Sequence, residues 1–137
     1  MNPLAYSLVI PAYELPEELD ITLAGVVRQT RLPAEVIVVD SSKDDRVRDV
    51  AERWRDRLPM RYLRAEAASA AAQRNQGART IDPTATPLIC FLDDDIALYP
   101  DTCARVCEAF EADEKGEIGG IALRIDEIIR PEPKGWS

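Results

Sequence analysis

The chain contains no histidine. That absence removes histidine-based triads, histidine-ligated zinc and histidine general bases together. Only 3 cysteines are present, without a paired framework, which fits a reducing compartment better than a disulfide-stapled scaffold. Basic residues are the minority, 17 Lys and Arg against 25 Asp and Glu, for a formal net charge of −8. That balance argues against broad phosphate-backbone binding, because nucleic-acid binders usually show a basic face, so no nucleic-acid partner is expected. No run approaches the roughly 18 apolar residues of a membrane span. The opening Met-Asn-Pro-Leu has no basic n-region, so the reading is no signal peptide and a cytoplasmic location.

What is present suits one soluble domain over residues 1–137, with 46% hydrophobic and 31% charged residues. The organising stretch is Leu88-Ile89-Cys90-Phe91-Leu92-Asp93-Asp94-Asp95, in which an apolar run meets three carboxylates. The apolar half has the length and content of a strand buried on both faces, as in a parallel sheet. Open α/β sheets bind ligands just beyond the carboxyl ends of such strands. If the extended geometry persists, Asp93 and Asp95 point one way and Asp94 the other. Paired hard oxygen donors suit Mg²⁺ or Mn²⁺ rather than zinc or copper. The plainer reading of these acids is a solvated loop that caps the next helix.

Along the chain, Ser7-Leu8-Val9-Ile10 reads as a short strand stopped by Pro11, with Pro11, Ala12, Tyr13 and Glu14 as a ligand-facing turn. Leu19, Leu23, Val26 and Val27 recur at helical spacing after Pro16 and read as core. Glu35-Val36-Ile37-Val38-Val39 is a second buried-type strand that ends in Asp40, and Ser41, Ser42 and Asp44 offer capping groups for the helix bearing Val47, Val50, Ala51 and Trp54. Met60-Arg61-Tyr62-Leu63 is a weaker strand suited to a sheet edge. Small residues from Ala67 to Ala78 let a helix lie close to what it covers, and residues 80–87 form a loop. A helix from Pro100-Asp101 puts Cys103 and Cys107 on a core face, and Gly119-Gly120-Ile121-Ala122-Leu123-Arg124-Ile125 reads as a fifth strand. Strands alternating with helices define an α/β fold with a mostly parallel central sheet flanked by helices. The loops after strands one, two and four then converge on one crevice with Tyr13 and Glu14, Asp40, and Asp93, Asp94 and Asp95.

Four blocks carry a resemblance: Ser-Leu-Val-Ile-Pro-Ala-Tyr-Glu, Glu-Val-Ile-Val-Val-Asp-Ser-Ser, Arg-Asn-Gln-Gly-Ala and Phe-Leu-Asp-Asp-Asp. In this order they resemble the Rossmann-like nucleotide-binding half of inverting family 2 glycosyltransferases with the GT-A fold, over residues 6 to about 125. The resemblance implies that Pro11, Ala12, Tyr13 and Glu14 line a nucleobase pocket and that Asp40 hydrogen-bonds the base. It places Arg74 where the family has an arginine reaching the nucleotide. It matches Asp93, Asp94 and Asp95 to a DXD motif, the first acid facing the ribose and the last holding Mg²⁺ or Mn²⁺ on the diphosphate. The implied activity is metal-assisted transfer of a sugar, with inversion, from a nucleoside-diphosphate sugar to an acceptor hydroxyl. A UDP-sugar is the donor expected by family habit, and the acceptor is unassigned.

This chain departs from the family pattern at Ser41, where a second Asp or Asn is frequent, at Glu14, where asparagine is common, and in its long 80–87 loop. The family's general base lies well after the DXD strand; Asp126 and Glu127 come too early, and the catalytic base is unassigned. The chain therefore reads as a donor-binding half without its acceptor half, with residues 118–129 expected to contribute to self-association or a partner contact. Receiver-type, dehalogenase-type and pyrophosphorylase-type readings each lack a required residue pattern. The competing function is a nucleotide-sugar-binding module without catalysis.

Overall fold

A computed structural model describes residues 3–126. Eight elements follow in order: β1 (Tyr6–Ala12), α1 (Pro16–Val27), β2 (Glu35–Asp40), α2 (Arg46–Arg53), β3 (Met60–Arg64), α3 (Ala70–Arg79), β4 (Leu88–Phe91) and α4 (Thr102–Ala112). The strands form one parallel sheet in the order β3-β2-β1-β4. The α/β fold expected from the alternating pattern is therefore the one formed. Strand alternation divides the core. Tyr6, Leu8, Ile10, Val36 and Val38 face α1, α2 and α4, while Val9, Ile37 and Val39 face the other way, toward α3 and Ile81. The predicted Leu19, Leu23 and Val26 stripe is fully buried, and Pro16 opens α1 as its fixed φ favours.

Gly77 sets how close α3 comes to the sheet. A Cβ there would lie 2.5 Å from Val9 Cγ1 and 3.2 Å from Val39 Cγ2. At the other end of the molecule, Arg31 holds Glu111 through two hydrogen bonds of 2.9 and 2.6 Å, and Glu111 also accepts from the Leu4 N–H at 2.6 Å. The Arg31 guanidinium, helped by that N–H, lowers the Glu111 carboxyl from its ordinary 4.5 to about 2. A lowered carboxyl contributes stability above its unfolded value and loses it as pH falls toward the folded one. The stability gap between the parent and Glu111→Gln is thus expected to be full above pH 4.5 and to close toward pH 2. Urea unfolding of both proteins across that window measures it; a gap independent of pH would refute it.

Several expectations are corrected. Pro11 does not stop β1, which runs to Ala12 with Pro11 opposite Val39. The side of Pro11 that lacks an N–H points toward β4, whose ladder has already ended at Phe91 opposite Val9, so no hydrogen bond is lost. Nor is β4 buried on both faces: Leu88, Cys90 and Leu92 pack inward, but Ile89 and Phe91 are 43% and 49% exposed. It is an edge strand, and α3 covers β1 and β2 instead. Residues 119–125 form no strand; they are exposed and irregular, fastened by the Asp113 carboxylate, which accepts from the Glu117 and Ile118 N–H groups, and by the Tyr99 hydroxyl donating to Asp126. Two adjacent glycines raise the entropy cost of ordering that stretch as a strand. Of the expected association segment, Ile118, Ile121, Leu123 and Ile125 are exposed, whereas 127–129 lie outside the described residues, as does Glu127. Ser41 and Ser42 do not cap α2; the Asp44 carboxylate takes the Arg46 N–H at 3.2 Å, and Ser42 serves the neighbouring loop.

Candidate functional site

The strand order reverses direction between β1 and β4, because β2 and β3 follow on one side of β1 and β4 joins on the other. Ligands of open parallel sheets bind at such a switch point, outside the carboxyl ends of the strands. A hollow of about 520 Å³ lies there. It is lined by Pro11 and Ala12 at the end of β1 and Tyr13 just after it, by Ser41 after β2, by Ser69 at the N-cap of α3 with Gln73 and Arg74 of that helix, and by Asp93, Asp94 and Asp95 after β4. Three of the four strand ends thus meet at one place.

The acidic turn is positioned from several sides. The chain leaves β4 at Phe91 and turns at Asp94 and Asp95, so extended alternation does not persist and all three carboxylates border the same hollow. The Tyr13 N–H donates to Asp94 Oδ2 at 3.2 Å, joining the β1 and β4 loops. Beneath the turn, the buried Thr22 hydroxyl lies 3.0 Å from Asp94 O and 3.1 Å from Ile96 O, and accepts from the Ile96 N–H at 3.2 Å. Burial first, and then the neighbouring Asp95 and Asp93 charges, raise the Asp94 carboxyl above its ordinary value, against the opposing Tyr13 N–H. Arg74, the one cation among the described residues lining the hollow, pairs with Asp93 at 3.1 Å.

Two of the expected nucleotide contacts sit differently. Asp40 is fully buried and does not line the hollow: its Oδ1 accepts from the Ser42 N–H at 2.8 Å, and its Oδ2 from the Tyr62 hydroxyl at 2.5 Å and Arg64 at 3.1 Å. Burial, together with the Asp40 carboxylate, pushes the Tyr62 hydroxyl up to about 12. Glu14 likewise stands back from the hollow. It adopts φ 56°, donates its N–H to Ser42 Oγ at 2.8 Å and accepts from the Lys43 N–H at 2.9 Å, lacing the β1 and β2 loops together. That left-handed conformation suits asparagine better than glutamate. Asp126 lies away from the hollow, paired with Tyr99 and Arg124.

Sequence reasoning passed over Gln73 and Thr22. Gln73 is 3% exposed, and its Nε2 donates to Ala12 O at 3.2 Å and Val39 O at 2.8 Å, bridging the carboxyl ends of β1 and β2. A polar residue four before a close-packed glycine was the signal, since both then face the sheet. Thr22 offered a similar one, as a polar position inside the apolar stripe of α1. The long 80–87 loop sits at the opposite end of the sheet, where the Ser7 hydroxyl donates to Thr86 Oγ1 at 2.8 Å.

A four-stranded parallel sheet with a polar, acid-rimmed hollow at its switch point defines an α/β domain of Rossmann-like type. The chain belongs to glycosyl transferase family 2, whose family model matches residues 7–135. It is 37% identical over 107 residues to the validoxylamine A glucosyltransferase of Streptomyces hygroscopicus subsp. limoneus, covering 75% of this chain and 23% of that protein. An uncharacterized glycosyltransferase of Haemophilus influenzae is 34% identical over 106 residues, 77% of this chain and 34% of its own length. Among solved structures, residues 1–349 of S. aureus TarS align with a TM-score of 0.70 at 20% identity, covering 80% of this chain and 33% of that one. The complex of the same TarS piece with UDP-GlcNAc aligns at 0.67 and 22% identity, over 80% and 32% of the two chains. These likenesses show the GT-A-type fold. The chain spans a quarter to a third of the length of these curated relatives.

Proposed function

We propose that this chain is the donor-binding part of a glycosyltransferase that takes a nucleoside-diphosphate sugar, a UDP-sugar first among them, and passes the sugar to an acceptor hydroxyl with inversion. The observation that carries this reading is the convergence of an aromatic ring, a guanidinium and three carboxylates on one switch-point hollow. Tyr13, half exposed at the rim, offers a ring face to the nucleobase beside Pro11 and Ala12. Arg74 is a planar donor suited to phosphate oxygens, and Asp93 and Asp94 are acceptors for ribose hydroxyls. Asp40 reaches a base only if the half-exposed Arg64 side chain moves off its carboxylate. TarS, which shares the fold, is known in complex with UDP and with UDP-GlcNAc, and this supports the choice of donor.

The donor set fits Mg²⁺ or Mn²⁺. Among the described residues no group of three or more His, Cys, Asp or Glu is arranged to hold a metal by itself. Magnesium, however, is held by one or two carboxylates with substrate phosphates supplying the rest, and Asp95 with Asp93 matches that pattern. Bound there, the ion would neutralise charge on the departing diphosphate. Among the described residues, none of the hollow's acids is free for deprotonating an acceptor without leaving these roles. That observation favours, as a second reading, a nucleotide-sugar-binding module that needs further chain for catalysis.

Calorimetry with UDP, GDP and dTDP, each with MnCl₂, tests the proposal. UDP is expected to bind best, and Asp95→Ala to abolish the Mn²⁺-dependent part of the heat. Silence with all three nucleotides would sink it. Sugar transfer by the chain itself would decide against the binding-module reading.

A further inference from the structure

Arg74 is the sole cation among the described lining residues, and it is already engaged. Its guanidinium sits 3.1 Å from Asp93 Oδ1, across the mouth between α3 and the acidic turn. The helix beneath it is held fast: Gln73, the preceding residue, is anchored to the β1 and β2 carbonyls, and Gly77 is pressed against Val9. The turn opposite is equally fixed through Thr22 and the Tyr13 N–H. Two rigid supports therefore present one acid and one base to each other over a hollow that has to accept anions.

We infer that the Arg74–Asp93 ion pair is a latch that makes divalent cation and diphosphate bind cooperatively: a cation on Asp93 releases Arg74, and the released guanidinium takes the phosphate. This deepens the donor-binding reading and rests on it. The physical ground is competition for shared groups. Without a cation, Asp93 is stabilised by Arg74, and a diphosphate has to displace that carboxylate to reach the guanidinium. With a cation, the carboxylate has a stronger partner. Coupling of this kind is reciprocal between the two ligands. Its size is bounded by what one exposed ion pair is worth, Arg74 and Asp93 being 37% and 58% exposed. That bound is about fivefold in affinity.

The latch predicts an inequality that simple attraction between Arg74 and phosphate does not. Arg74→Met is expected to weaken UDP binding more in MnCl₂ than in EDTA, by up to about fivefold, because in EDTA the wild-type arginine is still tied to Asp93. Conversely, Asp93→Asn is expected to tighten UDP binding in EDTA, and this gain is expected to shrink when Arg74→Met is also present. Calorimetric titration of UDP into wild type, both single variants and the double variant, in each buffer, measures all of these terms. Binding in EDTA that becomes measurable only in Asp93→Asn counts for the latch. Equal losses for Arg74→Met in the two buffers, or no gain for Asp93→Asn in EDTA, overturn it. If wild type binds no UDP even with MnCl₂, the donor-binding reading has failed; binding in MnCl₂ with equal Arg74→Met losses refutes the latch alone. Both substituted side chains are exposed, and unchanged melting temperatures will confirm that all variants are folded.

Discussion

Gly77→Ala is expected to destabilise the protein by about 1–3 kcal/mol, the usual cost of overpacking a tight contact. This holds even though alanine is the better helix former by about 1 kcal/mol. The added methyl would lie 2.5 Å from Val9 Cγ1, and Val9 is a fully buried residue of β1. A β-branched valine is restricted at χ1 and, fully buried, cannot swing aside cheaply. Relief then has to come from α3 lifting off the sheet, which would stretch the Gln73 hydrogen bonds to Ala12 and Val39 one turn earlier. Because Arg74 rides on the same helix, UDP affinity should fall with stability. Urea unfolding is the direct measurement, and a midpoint equal to or above the parent's would refute the account. Adding Val9→Ala to Gly77→Ala should recover part of the loss, as expected for contacting residues that are not additive.

Asp40→Ala is expected to cost about 1–4 kcal/mol: roughly 1–3 kcal/mol for a buried donor left without an acceptor, and at most about 1 kcal/mol more for a part-buried one that can turn to water. The buried donor is the Ser42 N–H and the part-buried one is the Tyr62 hydroxyl; the Arg64 guanidinium is half exposed and recovers water, so its share is small. The Ser42 loss should spread, since the Ser42 hydroxyl also accepts from the Glu14 N–H and so links the β1 and β2 loops. Asp40→Asn keeps an acceptor oxygen and should cost clearly less. A change below about 0.5 kcal/mol for Asp40→Ala, the range of an ordinary surface substitution, would show that the carboxylate does not hold this corner together. Denaturant unfolding of the two variants beside Tyr62→Phe separates the shares.

The parallel strands were readable because each is a short β-rich run, with Val36 to Val39 closing on Asp40 as the clearest case. The close approach of α3 was readable from Gly77 among small neighbours. The misreadings share one cause. A run such as Leu88 to Leu92 is equally apolar whether or not something covers its second face, and only its place at the sheet edge leaves Ile89 and Phe91 exposed. Residues 119–125 have strand-like composition, yet β structure exists only through pairing with a neighbour that composition does not name. Pro11 broke a local rule harmlessly, because β4 had ended before reaching it.

Local chemistry along the chain was enough to establish an α/β domain with acids at a strand end and no histidine chemistry, since periodicity and residue type are properties of neighbours in sequence. Which side of the sheet each group would face was a matter for three-dimensional packing. Asp40 became a buried anchor, whereas Asp93 became the partner of Arg74 over an open hollow. The difference lies in what the strand order sets beside each carboxylate: β3 brings Tyr62 and Arg64 to Asp40, and the switch between β1 and β4 leaves the space beside Asp93 unfilled.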